Sequence, residues 1–193
     1  MSAVLLYPGA GTDASHPSLV AIEQALAPIP CVRADFPYRK RGRRAPDRPP
    51  VLMAAVRSEL GSILGTHGGP VVMGGRSMGG RMCSMVAGGA DGSPPPAEVV
   101  GLVLICYPLH PPGKPERLRV EHLPAITVPC LFVSGTKDPF GTPDELEQWT
   151  STIPGDVRHV WIDGARHDLK GADGRIAEAV AAFCTSVLGR DAA

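Results

Sequence analysis

The stretch that decides the fold is VVMGGRSMGGRM, residues 71–82. It opens with three apolar residues, two of them β-branched, which favours a buried strand. A glycine-rich turn with a single serine follows, and the small residues after it are compatible with a helix. Gly75-Arg76-Ser77-Met78-Gly79 therefore matches G-x-S-x-G, a sharp strand-to-helix turn that exposes a serine hydroxyl at a helix N-terminus. Glycine suits both ends because a Cβ there would meet the adjacent strand or helix.

Alternating apolar runs and turn residues extend this unit in both directions. Further strands are predicted over 3–7, 31–36, 98–106, 129–133 and 157–162, and helices over 18–26, 51–64, 174–188 and from 142 onward. The proline-rich, basic stretch 37–50 is predicted to be a loop, and 107–128 is irregular and too short for a helical lid. Six strands separated by helices predict an α/β fold with a mostly parallel sheet and helices on both faces.

Composition narrows the functional classes. The 193 residues are expected to form one domain over 1–193, and 19 basic against 19 acidic residues give no net charge to recruit nucleic acid. No run approaches the roughly 20 apolar residues of a membrane span, and the N-terminus does not resemble a signal peptide. Five widely spaced cysteines without metal-ligand spacing favour free thiols, no metal site, and a cytoplasmic protein.

Three predicted strands end next to residues that together could perform acyl transfer. Ser77 follows the third strand, Asp138 the fifth and His167 the sixth. Because the carboxyl ends of parallel strands meet at one edge of a sheet, these side chains are expected to lie close together. A serine needs a base and an orienting acid to act as a nucleophile near neutral pH. The competing candidates are His16, His67, His110, His122 and His159 for the base, and Asp35, Asp163 and Asp168 for the acid.

Five motifs in order resemble the α/β-hydrolase superfamily: YPGAGT, DFPYRKRGRRAPD, GGRSMGGR, GTKDPFG and GARHDL. The chain is similar to its compact, dienelactone-hydrolase-related members and, more narrowly, to the testis-expressed and NSL-complex-subunit type of hydrolase-like domain. The resemblance implies an α/β-hydrolase fold without a lid domain. Dienelactone hydrolases themselves use a cysteine nucleophile, whereas this chain has Ser77.

The same pattern suggests roles for neighbouring residues. The backbone N–H of Met78 and one from Ala10 or Gly11 are expected to form an oxyanion hole. Arg76, Tyr107 and Arg39 are candidates for substrate binding, although a basic loop is also typical of a solvated surface.

The sequence thus predicts a serine hydrolase that cleaves a small or polar ester or thioester-type bond without metal or organic cofactor. The expected partner is a small-molecule acyl substrate, with neither nucleic acid nor membrane bound, and the chain is expected to be a monomer or homodimer. Two alternatives stay open: a hydrolase-fold interaction module with weak or no catalysis, and an acyltransferase.

Overall fold

The structure is a computed structural model that describes residues 1–189. The last four residues of the predicted 1–193 domain lie outside the described part. The strands are β1 (Ala3–Tyr7), β2 (Cys31–Arg33), β3 (Val71–Arg76), β4 (Val99–Ile105), β5 (Cys130–Gly135) and β6 (Val157–Ile162). The α-helices are α1 (Pro17–Leu26), α2 (Pro37–Lys40), α3 (Pro49–His67), α4 (Met78–Ala87), α5 (Pro143–Thr150) and α6 (Asp173–Leu188).

The six strands form one sheet in the order β2-β1-β3-β4-β5-β6, and every neighbouring pair is parallel. The predicted six-stranded α/β sheet is therefore confirmed, with all of its pairs parallel. From β1 the chain first adds β2 on one side and then crosses back to add β3 on the other side of β1. The strand order therefore reverses between β1 and β3. Such a switch point opens a crevice at the carboxyl ends of the strands, where ligands of open α/β sheets bind.

Alternation along the strands divides the core into two layers. Leu5 and Met73 belong to the layer covered by α3 and α4, whereas Leu6 and Val72 belong to the layer covered by α1 and α6. Burial on both faces explains why the strands read as continuous apolar runs. The sheet is thus fixed from both sides, and the loops at its carboxyl edge stand on a rigid base.

Some boundaries differ from those predicted. The basic stretch 37–50 is not entirely a loop, because α2 forms one helical turn at its start, with Pro37 in the first position that proline tolerates. Helix α3 is longer than predicted, since Pro49 likewise occupies its first turn and Gly68, at φ 66°, ends it in the left-handed conformation. Strand β2 is shorter and ends at Arg33.

The connection between β4 and β5 has only a short 3₁₀ turn, Leu123–Ala125. Within residues 1–189 it therefore carries no helical insertion that could serve as a lid. No helix in the same described range is long and apolar enough to cross a membrane.

Candidate active site

Ser77 lies between β3 and α4 in a backbone conformation that serine rarely adopts. Its φ is 49° and its ψ is −114°, and its N–H donates to the carbonyl of Ile105 at 2.7 Å. The turn is possible because Gly79 has no side chain: a Cβ there would collide with the backbone carbonyls of Tyr7 and Pro8. The surrounding structure holds this strained conformation, as is typical of functional sites.

Ser77, His167 and Asp138 form one chain of hydrogen bonds. The Ser77 Oγ is 2.9 Å from His167 Nε2, and His167 Nδ1 is 2.8 Å from Oδ2 and 3.0 Å from Oδ1 of Asp138. The structure therefore brings together the serine, base and acid chosen from the sequence. Such an arrangement can move a proton from the hydroxyl to the imidazole while the carboxylate holds the ring.

The acid and the base are both held by the loop that follows β5. Asp138 is buried, with an exposed fraction of 3%, and its Oδ1 also accepts the backbone N–H of Phe140 at 2.9 Å. The Phe140 ring stacks on the imidazole of His167 with the ring centroids 4.0 Å apart. The loop after β5 thus supplies both the carboxylate that binds the His167 imidazole and the aromatic ring that covers one face of it. The role of Phe140 was not evident from the motif GTKDPFG, because it depends on where His167 lies.

Arg76 connects the two halves of the site. Its Nη2 donates to the backbone carbonyl of His167 at 2.7 Å, and its exposed fraction is only 6%. Its Nη1 is buried and has no hydrogen-bond partner among the described residues. The residue before the serine therefore anchors the loop that carries the imidazole.

A cavity of about 440 Å³ opens onto these groups at the switch point of the sheet. It is lined by Gly9, Ala10, Gly11, Thr12, His16, Arg76, Ser77, Phe140, His167 and Asp168. One wall is a tight turn in which the N–H of Thr12 donates to the carbonyl of Gly9 at 3.2 Å. The turn does not use the N–H groups of its two central residues, Ala10 and Gly11. The hydroxyl of Tyr38 donates to the carbonyl of Ala10 at 2.8 Å and so fixes this wall.

The remaining predicted site residues take different positions. Met78 is the first residue of α4, where an N–H has no intrahelical acceptor. Arg39 pairs with Asp13 at 3.3 Å and borders an adjoining depression that shares Gly11, Thr12 and His16 with the cavity. Tyr107 lies apart from the cavity: its ring is buried in the core, and its hydroxyl donates to the carbonyl of Arg119 at 2.7 Å.

His16 is a cavity residue that the sequence pattern did not select. Its Nδ1 accepts the backbone N–H of Ser18 at 3.2 Å and caps α1, so the neutral ring carries its proton on Nε2. Burial, together with the nearby Arg76 guanidinium, lowers the pKa of His16. His16 is therefore a neutral hydrogen-bond donor at pH 7. Its position before Pro17, at the start of a helix that follows β1, was the only signal.

Two other histidines that could have bordered the site do not line the cavity. His110 lies against the carbonyl of Pro111 and is 3.5 Å from a Glu145 carboxylate oxygen. His122 is buried, with its Nε2 2.8 Å from the Ser84 hydroxyl. The loop after β4 instead contributes Cys106, whose Sγ lies close to the Asp138 and His167 side chains. In the sequence, the position of Cys106 directly after β4 was the feature that could have placed it at this edge of the sheet.

Comparison with known proteins agrees with this architecture. A family model described as an alpha/beta hydrolase domain matches residues 1–183. Among solved structures, Est1E from Butyrivibrio proteoclasticus with bound ferulic acid is 13% identical, with a TM-score of 0.80, covering 98% of this chain and 90% of its own. Dienelactone hydrolase from Anabaena variabilis is 19% identical, with a TM-score of 0.76 and coverage of 97% and 87%.

A third similar structure is the RedJ thioesterase of the prodiginine biosynthetic pathway in Streptomyces coelicolor. It is 19% identical, with a TM-score of 0.67, covering 95% of this chain and 85% of its own. At these identities the likeness concerns the fold. It confirms the predicted fold class, including the predicted structural similarity to dienelactone hydrolase, while the narrower resemblance to testis-expressed and NSL-complex-subunit domains stays a prediction.

Proposed function

The chain belongs to the α/β-hydrolase family, and from this premise we propose that it is a serine hydrolase that cleaves a small or polar ester or thioester-type acyl bond. The observation that carries the proposal is the unbroken hydrogen-bond chain from Ser77 through His167 to Asp138. An interaction module has no physical need to keep a strained serine 2.9 Å from an imidazole whose other nitrogen contacts a buried carboxylate. Catalysis has that need.

In the first half of the reaction, Ser77 Oγ attacks the acyl carbonyl. With its proton on Nδ1, His167 donates to Asp138 and presents an unprotonated Nε2 to the hydroxyl. The imidazole therefore takes the serine proton as the new C–O bond forms, and Asp138 stabilises the imidazolium. His167 then gives this proton to the leaving alcohol or thiol, which departs and leaves the acyl group on Ser77.

The negative charge that develops on the carbonyl oxygen requires donors already in place. The N–H of Met78, at the start of α4, is one candidate, because it has no intrahelical acceptor and the helix N-terminus favours negative charge. The N–H groups of Ala10 and Gly11 are the candidates for the second donor, since the turn that contains them lines the same cavity as Ser77. Each aligned donor would lower the barrier by roughly 3–4 kcal/mol.

In the second half, water replaces the leaving group. His167 removes a proton from the water, and the hydroxide attacks the acyl-enzyme carbonyl at the same oxyanion site. Collapse of this intermediate releases the carboxylic acid and returns the proton to Ser77. The connection between β4 and β5 carries only a short 3₁₀ turn and no helical lid, which supports entry of water and of short acyl substrates.

The proposed substrate class is a small acyl ester or thioester, bound by residues around the 440 Å³ cavity. Arg76 and the neutral His16 add polar character to that cavity, and Arg39 lies beside it, which supports polar rather than long aliphatic acyl groups. Est1E binds ferulic acid, a carboxylic acid of the kind that ester cleavage releases, and RedJ is a thioesterase, so both bond types are proposed for this chain.

The proposed location of the protein is the cytosol. Its five free thiols support this, because thiols stay reduced in that compartment.

The test is hydrolysis of short p-nitrophenyl esters and acyl thioesters by the native chain and by Ser77→Ala. We expect saturable turnover by the native protein and loss of at least about a thousandfold in the variant, because triad members act as a unit. Ser58→Ala, which alters an exposed serine of α3 that lines neither the cavity nor the adjoining depression, is the control and should keep full activity. Equal rates for the native and Ser77→Ala proteins would refute the proposal, and absence of all turnover would favour an interaction module.

A further inference from the structure

A thiol, a carboxylate and an imidazole lie close together at the active site. The Sγ of Cys106, a carboxylate oxygen of Asp138 and a ring nitrogen of His167 all lie within 4.8 Å of one another. Sulfur, nitrogen and oxygen are the donors that Zn²⁺ takes in proteins, at about 2.0–2.3 Å. Tetrahedral ligands at such distances are about 3.5 Å apart, so a small inward movement of the side chains would complete three positions of a zinc site.

We propose that Cys106, Asp138 and His167 form a binding site for a thiophilic divalent cation such as Zn²⁺, which inhibits the enzyme while it is bound. Binding of the cation stands on the geometry alone. The inhibition rests on the proposed function, because it requires that His167 act as the base.

Cys106 differs from the other buried thiols of the described residues in lying beside both a carboxylate and an imidazole. Cys83 and Cys130 donate their thiol protons to the carbonyls of Gly74 and Val128, whereas the thiols of Cys106 and Cys184 have no hydrogen-bond partner among residues 1–189. The Cys106 backbone has a φ of 50°, unusual for a residue other than glycine, and its N–H is held by the carbonyl of Val133. The backbone thus holds the Cys106 thiol beside Asp138 and His167, and the thiol itself makes no hydrogen bond to the described residues.

Charged groups of both signs surround the thiol. Asp138 and Asp168 contribute two carboxylates near Cys106, and Arg76 contributes one guanidinium. Burial and the two carboxylates raise the pKa of the Cys106 thiol to about 12, so the free enzyme holds it protonated. A divalent cation that binds here replaces that proton and meets the negative charges of the thiolate and of Asp138.

The proton balance explains why the bound cation would stop catalysis. A sulfur–metal bond forms as the thiol proton is released to solvent. Coordination at His167 Nδ1 requires that nitrogen to be unprotonated, so the imidazole proton moves to Nε2. Nε2 can then only donate towards Ser77, and the serine has no base to accept its proton. Hard cations such as Mg²⁺ are not expected to bind, because they prefer oxygen ligands.

The first measurement uses Co²⁺ as a spectroscopic substitute for Zn²⁺, with no substrate present. Titration of the native protein should produce a thiolate-to-cobalt charge-transfer band that saturates at one cation per chain, and addition of Zn²⁺ should abolish the band. Cys106→Ala should lack it. Cys184→Ala, which removes an equally buried thiol on α6, should retain it. A native protein without the band, or a band that survives in Cys106→Ala, would overturn the proposal.

The second measurement is inhibition of ester hydrolysis by Zn²⁺, reversed with EDTA. Relative to the rate that each protein shows without added metal, Cys106→Ala should require at least about tenfold more Zn²⁺ for half-inhibition than the native protein, since one of three ligands is gone. Equal sensitivity of the two proteins would contradict the inhibitory role. If no protein hydrolyses any ester while the cobalt band behaves as expected, the proposed function fails and the cation site stands.

Discussion

The backbone carbonyl of His167 accepts a hydrogen bond of 2.7 Å from Nη2 of Arg76, the residue directly before Ser77. The two residues are 91 positions apart in the chain. Because Arg76 ends β3 and His167 follows β6, this bond ties the turn of the serine to the loop of the imidazole. The distance between Ser77 and His167 thus depends on a side chain that belongs to neither.

Arg76→Gln is therefore expected to lower kcat more than it raises KM. Loss of the anchor would let the His167 loop shift by up to about 1 Å, a misplacement that can cost about a hundredfold in rate. Arg76→Lys should restore part of kcat, because an ammonium can still donate to the carbonyl. Steady-state kinetics on a neutral ester checks this, with Arg175→Gln on the exposed side of α6 as the control. A rise in KM at unchanged kcat would assign Arg76 to substrate binding instead.

Asp138→Asn should leave the fold intact and reduce kcat by about 10⁴. The amide cannot stabilise the imidazolium and favours the wrong imidazole tautomer, which is the known consequence of this change in serine hydrolases. Asp163→Asn is the matched control, because Asp163 follows the adjacent strand β6 and bonds to Thr136 rather than to a histidine. Similar losses in both variants would contradict the role given to Asp138.

Gly79→Ala should destabilise the protein by about 2 kcal/mol or more. A Cβ at this position would meet the carbonyls of Tyr7 and Pro8, and backbone atoms of a central strand cannot move aside cheaply. Gly61→Ala, in the exposed middle of α3 with open space around it, should instead stabilise by roughly 0.5–1 kcal/mol. Urea unfolding of both variants measures the difference, and equal midpoints would show that the turn tolerates bulk.

His122 predicts a loss of stability in mild acid. Burial, with a smaller contribution from Arg81, lowers the pKa of His122 to about 4 from its ordinary value near 6.5. Between these two pKa values the imidazole is protonated in the unfolded chain but neutral in the folded protein. The contribution of His122 to the free energy of unfolding is therefore fully present above pH 6.5 and declines as the pH falls towards 4. Between pH 7.5 and pH 5 the free energy of unfolding should drop by about 2 kcal/mol on this account.

The check is urea unfolding at several pH values between 7.5 and 5 for the native protein and for His122→Gln. The variant is expected to be less stable at pH 7.5, because the contact with Ser84 changes, but its stability should depend less on pH. Gln148→Ala, on the exposed side of α5, removes no titratable group; it is the control and should keep the native slope. A variant with the full native slope would show that other groups cause the acid sensitivity.

Much of the fold was predictable because local pattern and tertiary packing agree. β1 spans residues 3–7 as predicted, since turn residues bound a run that is buried on both faces. α2 was missed because Pro37 and the basic residues after it indicate a loop, although proline is well suited to the first position of a helix. Boundaries such as these depend on packing that no local pattern contains.

The choice of Ser77 followed from the G-x-S-x-G turn. Asp138 and His167 followed from the rule that the carboxyl ends of parallel strands share an edge, together with the family resemblance. What the sequence could not supply was the partners across long separations. The bond from Arg76 to His167, the stacking of Phe140 on His167 and the approach of Cys106 to Asp138 each require the register of the sheet and the path of a loop. His16 was considered only as a rival candidate for the base, and its place in the cavity could not be predicted because it depends on how α1 leaves β1.

The most direct test of the central claim is the reaction of the protein with a fluorophosphonate, followed by intact mass spectrometry and peptide mapping. If His167 activates Ser77, the native protein gains the mass of one phosphonyl group, located on Ser77, and Ser77→Ala gains none. His167→Ala should react at least about a hundredfold more slowly, because the base is missing. A native protein that stays unmodified under conditions that fully label a reference serine hydrolase would contradict the account.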